Sequence, residues 1–236
     1  MSRPDAVAAE WRKALTLPAT VVALAVAVIG PVALAGLNAS QGDTGSAAEA
    51  AFAASPLLTV GAIVIGAVTM GSEYSGGRPV AATFAAMPRR AMVLAAKAAV
   101  VSGLVVAASA VAMPVALGVA GGAPGDLEPG QWLGVTVYAV LTALIALGIT
   151  TLTRSIVVPL IVLVANGTVV SVSFLLHGVT PLARYLPDLA GMRLLAGDDQ
   201  LAIDDALAPV PGGLVMAAWT AALLAVAGVV LHRRDV

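Results

Sequence analysis

Ala98-Ala-Val-Val-Ser-Gly-Leu-Val-Val-Ala-Ala-Ser-Ala-Val-Ala-Met-Pro-Val-Ala-Leu-Gly-Val-Ala-Gly-Gly-Ala-Pro-Gly125 passes without one Lys, Arg, Asp or Glu. An α-helix needs only ~20 apolar residues to cross the hydrocarbon core of a bilayer. Five further uncharged runs flank this one, at 14–42, 50–72, 129–153, 155–183 and 206–232. A charge at the centre of a spanning helix costs about 2.5 to 3.5 kcal/mol, so empty windows separated by charged punctuation are the mark of repeated crossing. Composition agrees: 60% of the 236 residues are hydrophobic and 11% charged, against roughly 25% charged in soluble domains. Buried helices of a soluble fold would carry charged outer faces, and these runs have none.

The sequence therefore predicts an all-α, polytopic integral membrane protein forming a single transmembrane domain over 1–236. Six spans are expected near 18–37, 56–71, 93–118, 132–153, 156–176 and 213–231. The net charge of −1 conceals a strong asymmetry. With the N-terminus inside, the inner side holds Arg3, Arg12, Lys13, Arg78, Arg89, Arg90, Lys97, Arg154, Arg233 and Arg234 against four acids. The outer side holds only Arg184 and Arg193, against nine acids. The Lys and Arg bias places both termini in the cytoplasm and the chain in the cytoplasmic membrane.

The N-terminal stretch carries two readings of its own. Pro4 suits a first helical turn, and from Asp5 to Leu15 the apolar Val7, Trp11, Ala14 and Leu15 fall on one face, with Asp5, Arg12 and Lys13 opposite. This predicts an amphipathic elbow helix at 5–15 on the inner leaflet, with Trp11 at headgroup depth. Arg12-Lys13, the apolar Ala19 to Ile29 and Ala33-Leu34-Ala35 also imitate a cleavable signal peptide, but the apolar stretch continues to Leu37, which suits a retained span better. There is no cysteine, so disulfides and thiolate metal sites are excluded.

The longest inner segment, the loop at 72–92, reads Gly71-Ser-Glu-Tyr-Ser-Gly-Gly-Arg-Pro-Val-Ala-Ala-Thr-Phe-Ala-Ala-Met-Pro-Arg-Arg90 up to its last arginine. Gly76 and Gly77 break the preceding span, Pro79 suits a helix start, and Pro88 stops it. Val80, Phe84 and Met87 then share a face framed by Arg78, Arg89 and Arg90. Such a ridge fits a groove on a cytoplasmic partner; a surface helix whose arginines meet anionic lipid is the other reading. Glu73 at the membrane boundary pairs with Arg78 or with the partner, or is a solvated helix-end acid.

Ser72-Glu73-Tyr74, Gly76, Ala85-Ala86-Met87-Pro88-Arg89-Arg90 and Leu94-Ala95-Ala96-Lys97 resemble the small six-span permeases of type-2 ATP-binding-cassette transporters. The layout of the whole chain is similar too. The resemblance implies that the loop helix is a coupling helix gripped by a separate ATPase through Glu73, Arg78, Val80, Phe84, Met87, Arg89 and Arg90, with the elbow helix and its Val7 and Trp11 joining that contact. It also implies a second permease copy in a homo- or heterodimer, and short re-entrant helices near Leu182 to Leu195 in the extracellular segment 177–211. No Gly-x-x-x-x-Gly-Lys-Ser/Thr phosphate loop occurs in the chain. ATP and Mg are accordingly expected in the partner, and this chain is expected to bind no cofactor and no nucleic acid.

Other classes find less support. No nucleophile, base or metal set lies within the spans, and His177 and His232 fall on opposite sides, so an enzyme is not expected. Asn166, Thr168, Ser171 and Ser173 give span five a polar stripe that touches cargo or, more simply, bonds to a neighbouring helix. The acids from Asp198 to Asp205 read as a solvated face rather than a calcium site. The expectation is a permease subunit of an exporter for an amphipathic or hydrophobic substrate, with a secondary transporter or a non-transporting membrane anchor as the alternatives.

Overall fold

The computed structural model describes residues 3–42, 45–75, 90–168, 171–195 and 206–233. All regular structure among them is helical. Helix α1 (Arg3–Thr16) leads through Leu17 into α2 (Pro18–Gln41), which opens on a proline whose missing N–H forfeits nothing in a first turn. Gly42, at φ 72°, closes α2 in the left-handed conformation. The short α3 (Ala47–Ala53) begins with a reciprocal cap: the Glu49 N–H donates to Ser46 Oγ, and the Ser46 N–H donates to the Glu49 carboxylate. Only Ala54 separates it from α4 (Ser55–Ser75). The remaining long helices are α5 (Arg90–Val119), α6 (Pro129–Thr153) and α10 (Pro209–Arg233).

Five stretches are long and apolar enough to cross a membrane: Pro18–Gln41, Ala47–Tyr74, Met92–Val119, Pro129–Thr153 and Pro209–Arg233. They mark a multi-pass membrane protein. They cover the limits expected from sequence and extend beyond them by one residue at each end of Met92–Val119 and by as many as nine at the start of Ala47–Tyr74. Pro31 and Pro114 lie inside α2 and α5 without ending them.

The expected fifth span, 156–176, is corrected by the structure. It is not one helix but α7 (Val157–Gly167) and α8 (Val172–His177), with Ser171 extended at φ −70° and ψ 104°. Two local causes act. Pro159 has no N–H to give to the preceding turn, and the residues after it, Leu160–Val164, take π spacing. Asn166 Oδ1 accepts the Val172 N–H at 2.8 Å and Ser171 Oγ accepts the Phe174 N–H at 3.1 Å, so side chains replace helical carbonyls as acceptors. Beyond α8 a 3-10 turn, Pro181–Tyr185, leads into α9 (Pro187–Leu195). Short helices therefore stand where the re-entrant pair was expected. The acids between Asp198 and Asp205 lie outside the described residues.

Close approaches fix helix directions. Gly30 lies against Leu57 and Gly61 against Ala27, so α2 and α4 are antiparallel. Gly66 abuts Ala143, and Gly71 abuts Ile156 just past the end of α6, so α4 and α6 run in parallel. Gly134 meets Leu194, which also meets Gly213, while Gly148 meets Leu223; α6 and α10 are therefore parallel as well. Two successive long helices that point the same way require the chain between them to return across the bundle, and α7 to α9 fill that return.

Helix α4 is the most enclosed, with 67% of its most apolar stretch buried against 22% for α10. Val21, Val22, Val26 and Ile29 on α2, and Val210, Leu214, Val226 and Val229 on α10, are exposed. Apolar surface of that extent belongs in lipid, not water.

Candidate functional site

Where α1, the end of α4 and the start of α5 converge, four charged side chains meet. Lys97, one of the largest fully buried side chains at 1% exposure, projects from the second turn of α5. Its Nζ donates to Glu10 Oε2 at 2.7 Å, to Glu73 Oε1 at 2.8 Å and to the Thr69 carbonyl at 3.2 Å. All three ammonium donors are thereby used. Glu73 Oε1 also accepts from Lys13 Nζ. Among the described residues two carboxylates face two ammonium groups, so their charges balance. Burial of any one of these charges alone would be very costly; burial of the matched set with full hydrogen bonding is tolerable.

The local sequence places each member. On α1, Val7, Glu10 and Ala14 share one face at helical spacing; Glu10 and Ala14 are buried, and Val7 packs against the core. Lys13 lies one turn beyond Glu10 and is long enough to reach Glu73 while 36% exposed. Thr69 precedes Glu73 by one turn on α4, and its hydroxyl bonds back to the Ile65 carbonyl at 2.7 Å, leaving its own carbonyl facing Lys97. At the same end Arg154, held in left-handed backbone at φ 55°, stacks 5.9 Å over the Tyr74 ring and ties the end of α6 to that of α4.

Glu73, expected to pair with Arg78 or a partner protein or to be a solvated helix-end acid, has Lys13 and Lys97 as partners among the described residues; Arg78 lies outside them. The sequence assigns Glu10 no site role, and Lys97 enters only as an inner charge and as the end of the resembling Leu94-Ala95-Ala96-Lys97. The available signal was Lys97 itself, a charge inside the expected span 93–118. The Trp11 ring packs on Gly103 of α5, close enough that a Cβ there would lie 2.9 Å from Cζ3, while the side chain stays partly exposed. Arg78, Val80, Phe84, Met87 and Arg89 lie outside the described residues, while Arg90 opens α5.

A second polar group holds the α7/α8 break. Asn166 Nδ2 donates to Asp188 Oδ2 at 2.6 Å, and Ser171 Oγ lies 3.4 Å from the same oxygen. Asn166 therefore joins α7, α8 and α9 through one side chain, while Ser173 is buried. Thr168 follows directly on the last residue of α7. The polar stripe expected along one helix is thus a clamp between three. Asn166→Ala removes two of these bonds and is expected to cost about 1–3 kcal/mol, read as a lower thermal midpoint in detergent. An unchanged midpoint would show that the clamp does not hold the break.

No protein-family model matches this chain, and no curated protein matches it. The geometry must therefore carry the functional reading. Among the described residues no three His, Asp or Glu side chains gather as a metal site. What the arrangement can do is mechanical. Helix α4 ends at Ser75, just after Glu73, and α5 begins at Arg90; Lys97 ties these two helix ends to each other and to α1.

Proposed function

We propose that the protein is the membrane-spanning permease subunit of an ATP-binding-cassette exporter, moving an amphipathic or hydrophobic substrate with ATP hydrolysed by a separate subunit. The observation that carries this reading is the buried cluster of Glu10, Lys13, Glu73 and Lys97. The basic stretch 72–92, whose sequence resembles the coupling segment of type-2 permeases, connects two helices that are cross-linked by ions to the N-terminal helix. Force applied to the loop by a partner would move α4, α5 and α1 as a unit, as coupling requires.

Six crossings accompany this reading. The parallel course of α6 and α10 supports counting the broken α7–α8 segment as a return across the membrane, and interrupted helices are tolerated there when protein groups satisfy the freed backbone. The Lys and Arg bias then puts both termini, the charge cluster and the loop on the cytoplasmic side. The chain pairs with a second permease copy and with the ATPase.

Affinity purification of the tagged chain in mild detergent, followed by mass spectrometry, is expected to recover an ATP-binding-cassette ATPase stoichiometrically. Phe84→Asp should reduce that recovery at least about tenfold, as loss of a central apolar anchor does, while leaving membrane insertion intact. Absence of any ATPase with the wild-type chain would overturn the reading. A secondary transporter is the other reading, favoured by one observation: the Asn166–Asp188 clamp at a helix break has the discontinuous-helix form found at carrier binding sites.

A further inference from the structure

Between the start of α5 and the end of α10 lies an open groove of about 830 Å³, within the roughly 300–1,000 Å³ range of small-molecule sites. Its walls are aliphatic. Leu94 and Ala98 form one side, Leu224 the other, and Gly228 leaves the floor clear, since a Cβ there would come no closer than 3.8 Å to Leu94. Polarity enters at one end only, where His232 and Arg233 line the mouth. Both are exposed, and none of the described lining residues is a carboxylate. Lys97, the nearest acid-paired group on α5, turns away into the core, where Glu10 and Glu73 neutralise it.

We propose that this groove binds an anionic phospholipid, its acyl chain lying between α5 and α10 and its phosphate held by Arg233 and His232. The shape of the site argues for this occupant. Aliphatic walls without a buried polar group offer nothing to a hydrophilic ligand, and a guanidinium with an imidazole beside it at one end selects a molecule whose charge is also at one end. His232 and Arg233 lie in the last turn of α10, at the end of the bundle that carries the charge cluster, where a spanning helix meets lipid headgroups. The groove opens between helices whose outer faces are themselves exposed and apolar, so a lipid enters sideways from the bilayer without passing through water. The inference rests on the membrane-spanning reading and not on the exporter assignment.

The test uses the whole chain purified in dodecyl maltoside and incubated with equimolar dioleoyl phosphatidylglycerol and dioleoyl phosphatidylcholine, with bound lipid counted by native mass spectrometry. The wild type is expected to retain the anionic lipid over the zwitterionic one by roughly fivefold or more, the discrimination one interfacial arginine confers. Arg233→Glu combined with His232→Ala should bring that ratio to about one. Gly228→Phe, which fills the floor, should abolish retention of the specific lipid, and Gly228→Ala should not. Should Gly228→Phe fail to purify, Ala225→Phe on the exposed lip of α10 repeats the blockade. Equal retention of both lipids by the wild type would overturn the proposal. So would anionic lipid retained undiminished by the filled groove, or displaced by soluble glycerol 3-phosphate, which carries the head without the tail. Recovery of the ATPase is measured separately, so loss of this site and loss of the exporter reading are distinguishable.

Discussion

Lys97→Met is expected to destabilise the protein by about 3–5 kcal/mol, the range for removing one partner of a buried ion pair. The methionine is similar in length and apolar, so packing changes little; the loss is electrostatic. Without the ammonium, the Glu10 carboxylate, 6% exposed, loses a 2.7 Å partner. Glu73 retains Lys13 but loses its buried one. Thermal unfolding in detergent, followed by size-exclusion chromatography, should show the midpoint lowered on the order of 10 °C. A midpoint equal to the wild type would mean that the cluster contributes nothing.

A companion variant separates stability from coupling. Glu10→Leu, Glu73→Leu and Lys97→Met together remove the buried charges as a set, and replacing a buried ionic group wholesale by apolar side chains is often neutral or stabilising. The triple variant is therefore expected to regain most of the lost midpoint. If the ion pairs exist to tie α1 to the loop-bearing ends of α4 and α5, the same variant should still fail to transport. Full transport by the triple variant would reduce the cluster to one way among several of filling that space.

These contacts show where sequence is transparent and where it is not. Five long helices were legible because an uncharged run is a one-dimensional property, and the cost of a charge in hydrocarbon makes it nearly unambiguous. Continuity of a helix within such a run is not encoded by hydropathy. The run 155–183 is as free of charge as its neighbours, yet it breaks where Asn166 and Ser171 satisfy backbone N–H groups locally. Asn166 was visible as a polar residue, but its partner Asp188 lies 22 residues on, in another helix. The charge cluster was less legible still, since Lys97 and Glu10 are 87 residues apart. Helical spacing put Val7 and Ala14 on one face of α1 but did not show that an acid between them would share their burial. The basic loop, the most informative segment chemically, contributes through residues 76–89, which lie outside the described structure.

Gly66→Leu should separate α4 from α6. A Cβ at Gly66 would lie 2.1 Å from the Ala143 carbonyl oxygen and 2.9 Å from its carbon. Both are backbone atoms that no rotamer change can move, so the helices themselves must part. The expected cost is about 3 kcal/mol, the upper end for overpacking a core, whereas Gly118→Ala, with nothing within 4 Å of the added carbon, should be neutral or stabilising by up to ~1 kcal/mol through helix propensity. The two variants differ by one interface and can be compared in the same melting experiment. Equal midpoints would show that the α4–α6 contact is looser than its geometry indicates. The substitution also reaches the charge cluster, because Glu73 is two turns further along α4 and Lys97 is held to α5. Moving α4 away from α6 shifts the Glu73 carboxylate relative to the ammonium that binds it. Gly66→Leu and Lys97→Met should therefore be non-additive, the double variant losing less than the two single losses combined, by more than the ~0.5 kcal/mol within which independent sites add. Strict additivity would mean that helix packing and ion pairing at this end of the bundle are separate devices, and that α4 does not transmit displacement from the membrane interior to the loop it carries.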